Sequence, residues 1–243
     1  MMPFIDLIQQ NLPVAVAAGA VLVGSTLFLR SRSSPSKTGM TALPFGSLLG
    51  VAPGGVPAYS SKGMSFRSHY NGEIYYGARY QCVEFARRWL VHTQGVTFGS
   101  VGMAYEIFPL THATRVSDNS EVPWNNVANG STTRPLAGCI LIWNEGAEFK
   151  WTGHVAVVTA VSDSYVRIAE QNVHDMSWEG RDYSRELPAV ADAATGAFHV
   201  YDRYGQGGTI TGWKLLPDDF KPAPIPVPAA AVQDQVQEGC SVQ

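Results

Sequence analysis

A cysteine at the start of a predicted helix is the first residue in this sequence that could perform chemistry. Cys82 lies in the stretch ARYQCVEFARRWL, residues 78–90, directly after Gln81. At a helix N-terminus the positive end of the helix dipole favours a thiolate, and unpaired backbone N–H groups can receive an oxyanion. Gln81 could add a side-chain N–H to such an oxyanion hole. Alternatively, Cys82 could be a small apolar core residue that needs only packing.

A histidine and a polar pair further along the chain could complete a catalytic set. His154 begins the hydrophobic run HVAVVTAV, and a strand end can hold an imidazole rigidly while one nitrogen stays free. Glu170 and Asn172 are two residues apart, so on one strand both would face the same way. Either could orient the base, the glutamate more strongly because its charge stabilises an imidazolium. Each residue could instead be an ordinary hydrogen-bonded polar group.

Periodicity indicates which elements would position these residues. Apolar residues recur at helical spacing from Cys82 to about Thr93, and MAYEIF predicts a second, short helix. The runs GCILIW, HVAVVTAV and YVRIAEQN are typical of strands, as are the later GAFHVYD and ITGWKLL. Turn residues in VSDSY predict a hairpin that returns residues 170–173 beside His154. Helices followed by an antiparallel sheet predict an α+β fold, and the order Cys, His, acid is papain-like.

Composition narrows the classes of protein and of site. The chain has 243 residues, 45% of them hydrophobic, which is enough for one domain with a sizeable core. A formal net charge of −3, without a long Lys/Arg run, argues against nucleic-acid binding. The three cysteines, Cys82, Cys139 and Cys240, are widely spaced and form no CxxC pair. We therefore predict neither a metal site nor a disulfide framework.

The N-terminal segment predicts a membrane anchor. Residues 12–29, from Leu12 to Leu29, carry no charge and are about as long as the minimum for a bilayer crossing. Positive charges follow this segment, at Arg30 and Arg32, which predicts an uncleaved anchor with the rest of the chain facing the cytosol. A core helix and a cleaved targeting segment are the alternatives. We thus assign residues 1–40 to an anchor and linker.

The other end of the chain has a different composition from the domain that we assign to residues 41–220. Residues 221–243 are rich in Pro and Ala and predict an extended tail. Cys240 is fourth from the end, in CSVQ, which fits a prenylation signal. A chance cysteine on a disordered tail is the alternative.

Several of these stretches closely resemble one known family: YQCVEFARRWL, VGMAYEIF, LIWNEGAEFKWTGHVAVVTAV and VRIAEQNV. They are similar to the amidase domain of glutathionylspermidine and trypanothione synthetase-amidases, a branch of the CHAP cysteine-peptidase superfamily. PFGSLLGVAPGGVPAYSS also looks like this family, so the resemblance covers about residues 45–216. It implies a papain-like CHAP domain with N-terminal helices packed on an antiparallel sheet.

The resemblance also implies a role for each candidate residue. Cys82 would be the nucleophile, His154 the base and Glu170 the residue that orients it. Gln81 would belong to the oxyanion hole, and Asn172 to the hydrogen bonding of the site.

The implied reaction is hydrolysis of the amide between glutathione and a polyamine, as in glutathionylspermidine and possibly trypanothione. Arg87, one turn beyond Cys82, matches a position linked to binding the glutathione part; otherwise it is a solvated helix arginine. The substrate would be a small molecule, no cofactor or metal would be needed, and we expect a monomer. Because the chain ends soon after this domain and shows no Gly-rich phosphate loop, we expect no synthetase activity.

Two other functions stay open. One is an exported CHAP enzyme that cuts peptidoglycan peptides with the same catalytic set. The other is a non-catalytic module that binds glutathione conjugates.

Overall fold

Short runs of β-branched and aromatic residues, separated by Gly, Pro, Asn and Asp, make this chain rich in β-structure. The computed structural model describes residues 41–63, 66–204 and 208–228. These residues contain one α-helix, α1 (Cys82–Gln94), and two short 3-10 helices, Ala104–Ile107 and Ala147–Phe149. The strands, in chain order, are β1 (Leu48–Ala52), β2 (Val56–Tyr59), β3 (Ser68–Asn71), β4 (Ile74–Ala78), β5 (Val96–Thr97), β6 (His112–Arg115), β7 (Glu121–Pro123), β8 (Asn125–Ala128), β9 (Ile140–Trp143), β10 (His154–Val161), β11 (Tyr165–Ala169), β12 (Arg185–Ala191), β13 (Phe198–Val200) and β14 (Ile210–Leu215).

A seven-stranded antiparallel sheet forms the framework of the fold. Its strand order is β13-β12-β11-β10-β9-β14-β8, and every neighbouring pair is antiparallel. The central strands β9 and β10 are continuous hydrophobic runs because both faces of the sheet are covered. Successive residues alternate between two hydrophobic clusters: Val155 and Val157 belong to one, and Ala156 and Val158 to the other.

The helix α1 packs on one face of this sheet. Its buried apolar residues share a cluster with the inward-facing residues of β9 and β10. The helix ends at Gly95, whose φ of 71° is left-handed and whose N–H donates to Val91 O at 3.1 Å. A Cβ at Gly95 would also lie 2.0 Å from the carbonyl oxygen of Ala223. Both the left-handed backbone and this close approach therefore require glycine here. The apolar members of α1 in the cluster are Phe85, Ala86, Trp89 and Leu90.

Three smaller sheets surround the helix and the long sheet. β1 pairs with β2, β3 pairs with β4, and β5, β6 and β7 form a three-stranded sheet. The β1–β2 hairpin fixes the loop that follows β11, because Tyr59 N donates to Gln171 Oε1 at 2.7 Å and Trp178 N to Leu49 O at 2.6 Å. This loop carries the residues that follow Glu170.

The first residues of the predicted tail lie against α1. Ala223 N donates to Gln94 O at 3.1 Å, and Ile225 N donates to Val91 O at 3.3 Å. Nδ1 of His92 lies 2.6 Å from Ile225 O. Gln94 O, at the C-terminus of the helix, thus accepts from a residue at the far end of the domain, and Val91 O accepts a second hydrogen bond besides that from Gly95.

The α+β class with an antiparallel sheet agrees with the sequence analysis, but the expected group of N-terminal helices is wrong. Among the described residues α1 is the only α-helix, and β1 to β4 precede it. MAYEIF forms a single 3-10 turn, Ala104–Ile107. Pro109 follows closely, and a proline has no backbone N–H to donate to a continuing helix.

The expectation of a membrane-anchored protein facing the cytosol also needs correction. Within residues 41–63, 66–204 and 208–228, no helix is long and apolar enough to cross a bilayer. The α-helix described has 13 residues, against the ~20 that a crossing needs, and it contains Glu84, Arg87 and Arg88. The proposed anchor at residues 12–29 lies outside the described residues, and so does Cys240.

Candidate active site

The packing of α1 on β10 brings the two main candidates together. Cys82 is the first residue of α1, and Gln81 before it has extended backbone, with φ −80° and ψ 164°. His154 is the first residue of β10 and pairs with Trp143 on β9. Both Cys82 and His154 are buried and line one cavity of about 740 Å³. The helix start and the strand start therefore meet at the same place.

The imidazole of His154 is held by a hydrogen bond and two aromatic contacts. Its Nε2 lies 2.8 Å from Glu170 Oε2, and its ring stacks on Phe149 with 4.6 Å between centroids and 9° between planes. Trp143 contacts the ring edge-on at a centroid distance of 5.1 Å. Gly153 allows this approach: its φ is 60°, and a Cβ there would lie 2.6 Å from the carbonyl oxygen of Trp143. Because Nε2 faces Glu170, Nδ1 is the nitrogen left for Cys82.

The electrostatics of the site favour a protonated His154. Burial alone would disfavour the charged ring, but hydrogen bonding and charge interaction with Cys82 and Glu170 outweigh it and raise the pKa of His154 to about 9. His154 can therefore act as a general base toward a neighbouring thiol.

Glu170 is buried directly after the end of β11. Besides His154, it accepts two hydrogen bonds from Arg185 and one from Ser184 Oγ at 3.2 Å. Burial alone would raise the pKa of Glu170, but the charge of Arg185 and the hydrogen bonds from His154 and Arg185 hold it well below its usual range. The carboxylate therefore stays ionised beside the imidazole.

Asn172 does not share a strand face with Glu170, contrary to our expectation. β11 ends at Ala169, and Asn172 has left-handed backbone with φ 63°. Its Nδ2 donates to Gln81 Oε1 at 2.7 Å, and its Oδ1 accepts from Ser61 Oγ at 2.7 Å. β11 ends three residues before Asn172, so the expectation of a shared strand face does not apply, and Asn172 instead hydrogen-bonds Gln81.

The amide of Gln81 has a defined orientation and one unused donor. Its oxygen is bound by Asn172, while its Nε2 is buried and has no hydrogen-bond partner within the described part of the chain. A buried unsatisfied donor is costly and therefore needs an explanation. Because Gln81 lines the cavity next to Cys82, this nitrogen is placed to meet an acceptor on a ligand.

Arg87 lies on the wall of the same cavity and is not a solvated helix arginine. It is 3% exposed, and its guanidinium donates to the backbone carbonyls of Tyr76, Phe98 and Gly99 at 2.5, 3.2 and 3.0 Å. Burial lowers the pKa of Arg87 to about 10, against the opposing charges of Tyr75 and Glu84. A role in binding glutathione stays a prediction.

Several functional candidates were missed by the sequence analysis. Arg185 and Asp202 belong to the network behind Glu170, and Ser61 belongs to the network behind Gln81. Ser61 lies in the stretch that resembles the known family, but its type alone gives no signal of a role. In the described ranges no three His, Cys, Asp or Glu side chains are grouped to hold a metal ion.

Comparison with known proteins identifies related chains. The CHAP domain family matches residues 71–172, which include Cys82, His154 and Glu170. The bifunctional glutathionylspermidine synthetase/amidase of Escherichia coli (strain K12) is 44% identical over 188 residues, which cover 72% of this chain and 30% of the relative. Trypanothione synthetase of Crithidia fasciculata is 38% identical over 148 residues, 60% of this chain and 22% of the relative.

A third relative is the glutathionylspermidine synthase of Crithidia fasciculata, which is 31% identical over 205 residues, 75% of this chain and 28% of the relative. The chain thus spans 30% or less of the length of these three relatives. The resemblance noted in the sequence is confirmed: this chain carries a CHAP domain and is related to the glutathionylspermidine synthetase/amidases and trypanothione synthetases.

Proposed function

We propose that this chain is a cysteine-dependent amidase that hydrolyses glutathionylspermidine, and we extend the proposal to trypanothione. The observation that carries it is the buried His154, which is placed between Glu170 and Cys82 at the wall of a large cavity. The relative that gives the highest of the reported identities is named a glutathionylspermidine synthetase/amidase, which supports the substrate. A cavity of about 740 Å³ is of the size that takes small-molecule ligands.

The geometry suggests how an amide would be cleaved. The Cys82 thiolate attacks the carbonyl carbon, and Gln81 Nε2 and the backbone N–H of Cys82 donate hydrogen bonds to the oxyanion. Imidazolium His154 gives its proton to the leaving amine as the C–N bond breaks, which leaves a thioester on Cys82. Neutral His154 then takes a proton from water, and the hydroxide attacks the thioester. Collapse of this second adduct releases the carboxylic acid and restores the thiolate and the imidazolium.

The two other functions would look different at the bench. A peptidoglycan-cleaving CHAP enzyme would use the same residues on a muropeptide, and the CHAP match alone fits either substrate. A binding module would retain glutathione conjugates without converting them. The sequence identities to glutathionylspermidine enzymes favour hydrolysis of glutathionylspermidine over both alternatives.

The test is to incubate the full chain with glutathionylspermidine, trypanothione or a muropeptide and to follow products by liquid chromatography and mass spectrometry. We expect free glutathione and spermidine from glutathionylspermidine, and a transient mass increase of one glutathionyl group on Cys82. Cys82→Ala is the control and should give neither product nor adduct. Cleavage of the muropeptide alone would overturn the substrate, and tight binding without products would overturn catalysis.

A further inference from the structure

The carboxylate of Glu170 binds two cationic groups at once. Arg185 Nε donates to Glu170 Oε1 at 2.5 Å, and Arg185 Nη2 donates to Oε2 at 3.0 Å. Oε2 is also the atom that His154 approaches at 2.8 Å. The two parallel bonds of the guanidinium therefore fix the plane of the carboxylate, and one oxygen is shared with the imidazole.

Arg185 is in turn bound by a second buried carboxylate. Its Nη1 donates to Asp202 Oδ1 at 2.8 Å, and Trp143 Nε1 donates to Asp202 Oδ2 at 2.9 Å. The side chain of Asp202 is 0% exposed and that of Arg185 is 11% exposed. Since Trp143 also contacts the ring of His154, Asp202 holds both the arginine and one wall of the imidazole site.

We propose that Arg185 and Asp202 are positioning residues for the base. Arg185 holds Glu170 toward His154 and offsets part of the negative charge of Glu170, and Asp202 in turn offsets part of the positive charge of Arg185. With an ionised thiol and a protonated imidazole, the charges of Cys82, His154, Glu170, Arg185 and Asp202 alternate in sign. This inference rests on the proposed function, because it concerns the proton that His154 must first give and then accept.

This balance of charges around His154 matters in the second half of the reaction, the hydrolysis of the thioester. Once Cys82 is part of a thioester, its charge no longer holds the proton on His154. The imidazole must then be neutral to take a proton from water, although Glu170 still favours the charged ring. Arg185 weakens the stabilisation of protonated His154 by Glu170, and Asp202 prevents Arg185 from cancelling that stabilisation. The pair therefore sets a proton affinity between the needs of acylation and deacylation.

Other titratable groups lie near the same cluster. Tyr204 contacts Phe149 at a centroid distance of 6.4 Å, His174 contacts Tyr204 at 4.4 Å, and Glu148 lines the cavity. His174 also interacts with the charges of Glu170, Arg185 and Asp202. These three groups stay unchanged in every variant below, so differences among the variants report on Arg185 and Asp202.

The experiment measures the titration of His154 by NMR in the full chain with ¹⁵N-labelled histidine. A Cys82→Ala background removes the thiol and mimics the charge state of the acyl-enzyme. The chain has six histidines, and His154→Asn identifies the signal. We expect Arg185→Gln to raise the pKa of His154 and Asp202→Asn to lower it, each by ~0.5–1 pH unit, as expected for one charge nearby.

The opposite signs separate this role from a structural one. A purely structural pair would disturb His154 in the same direction in both variants, and that result, or no shift in either, would overturn the proposal. Where Arg185→Gln fails to fold, the double variant Arg185→Gln/Asp202→Asn removes one charge of each sign and should return the pKa of His154 close to the parent value. Arg185→Lys keeps the charge and should also stay close to the parent; a Lys variant that titrates as expected for Gln would overturn the charge argument.

The titration uses no substrate, so its failure differs from a failure of the proposed function. Hydrolysis of glutathionylspermidine without opposite shifts would overturn the role of Arg185 and Asp202 alone. Opposite shifts without hydrolysis would overturn the substrate alone. With Cys82 intact, the pH profile of kcat should move upward in pH for Arg185→Gln and downward for Asp202→Asn.

Discussion

Two buried clusters in this protein are built from the same three residue types. The Glu84 cluster consists of His69, Glu84 and Arg88, and its carboxylate lies 2.7 Å from His69 Nδ1 and 2.6 Å from Arg88 Nε. The Glu170 cluster consists of His154, Glu170 and Arg185, with corresponding distances of 2.8 and 2.5 Å. Both carboxylates have a lowered pKa for the same reason, since an arginine and a histidine outweigh the cost of burial. The residue types and distances therefore do not distinguish the two clusters.

The surroundings of the two clusters differ. In the Glu84 cluster, Arg88 donates its remaining hydrogen bonds to the neutral oxygens of Pro57 and Gln171. In the Glu170 cluster, the arginine meets the charged Asp202, and the histidine meets the thiol of Cys82. Of the two, only the Glu170 cluster is connected to Cys82, the proposed nucleophile at the wall of the large cavity. The neighbours of each cluster, and not its residue types, thus support the proposed catalytic role of the Glu170 cluster and a structural role of the Glu84 cluster.

The stretch EQN joins the two clusters. Glu170 binds His154, while Gln171 Nε2 donates to Glu84 Oε2 at 2.9 Å. Asn172 then binds Gln81. Three consecutive residues thus connect His154, the buried Glu84 of α1 and the Gln81 amide, so a shift of this loop would affect all three.

The largest effect should come from removing the nucleophile. We expect Cys82→Ala to lower kcat by on the order of 10⁴ or more with an unchanged fold, as for the loss of other covalent nucleophiles. Cys139→Ala is the matched control, because Cys139 is also a buried free cysteine, and burial raises its pKa to about 12. Activity per folded molecule should stay within a few-fold in the control. Turnover of Cys82→Ala near that of the parent would remove the mechanism.

The next effect distinguishes the two glutamates. We expect Glu170→Gln to lower kcat by about 10²–10⁴-fold, because a neutral amide stabilises imidazolium less than a carboxylate. Glu84→Gln should leave kcat of the folded fraction nearly unchanged and lower the free energy of unfolding by about 3–5 kcal/mol, the usual cost of breaking a buried pair. Steady-state kinetics and urea unfolding on both variants give the comparison. Equal losses of kcat would mean that both clusters serve the base.

A smaller effect is expected on the neutral side of the site. Gln81→Ala should lower kcat by about 10²–10³-fold, the usual cost of one oxyanion donor. Asn172→Ala leaves the Gln81 donor in place but frees the Gln81 amide to rotate. We therefore expect kcat to fall only ~10-fold, less than for Glu170→Gln. Neither variant should shift the pH profile of kcat, since neither residue carries charge. An Asn172→Ala loss that exceeds that of Glu170→Gln would mean that the orienting residue has been misassigned.

The parts of the site that follow from local signals could be predicted from the sequence. The helix predicted from Cys82 to about Thr93 is observed as Cys82–Gln94, and the hairpin at VSDSY brings Glu170 back to His154. Helical spacing and turn residues act over a few positions, so they can be recognised without the fold. The strand predicted through Asn172 ends at Ala169 instead, and Asn172 has left-handed backbone in the loop that follows.

The parts that depend on long loops could not be predicted. Arg185 reaches Glu170 because β12 pairs with β11 in the register that sets Arg185 opposite Ile168. The loop of residues 170–184 connects β11 to β12, and the length of this loop alone does not determine the register of the two strands. Asp202 follows β13 on the far side of β12, so two pairings must be known before it can be placed. By contrast, Glu84 and Arg88 are four residues apart on a helix, a spacing at which side chains pair locally, although that spacing does not show that the pair is buried.

The last expected effect concerns acid stability and tests whether Glu84 is structural. Its pKa is lowered to about 2, because Arg88 and His69 outweigh burial, against ~4.3 in an unfolded chain. A lowered folded pKa gives stabilisation that is complete above ~4.3 and is lost as the pH falls through about 2. Between pH 6 and 2.5, the free energy of unfolding should therefore fall by about 2 kcal/mol less in Glu84→Gln than in the parent. Urea unfolding at both values of pH measures this, with the exposed Glu73→Gln as control. If Glu84→Gln loses as much stability as the parent over this range, the Glu84 cluster does not hold the fold through its charge.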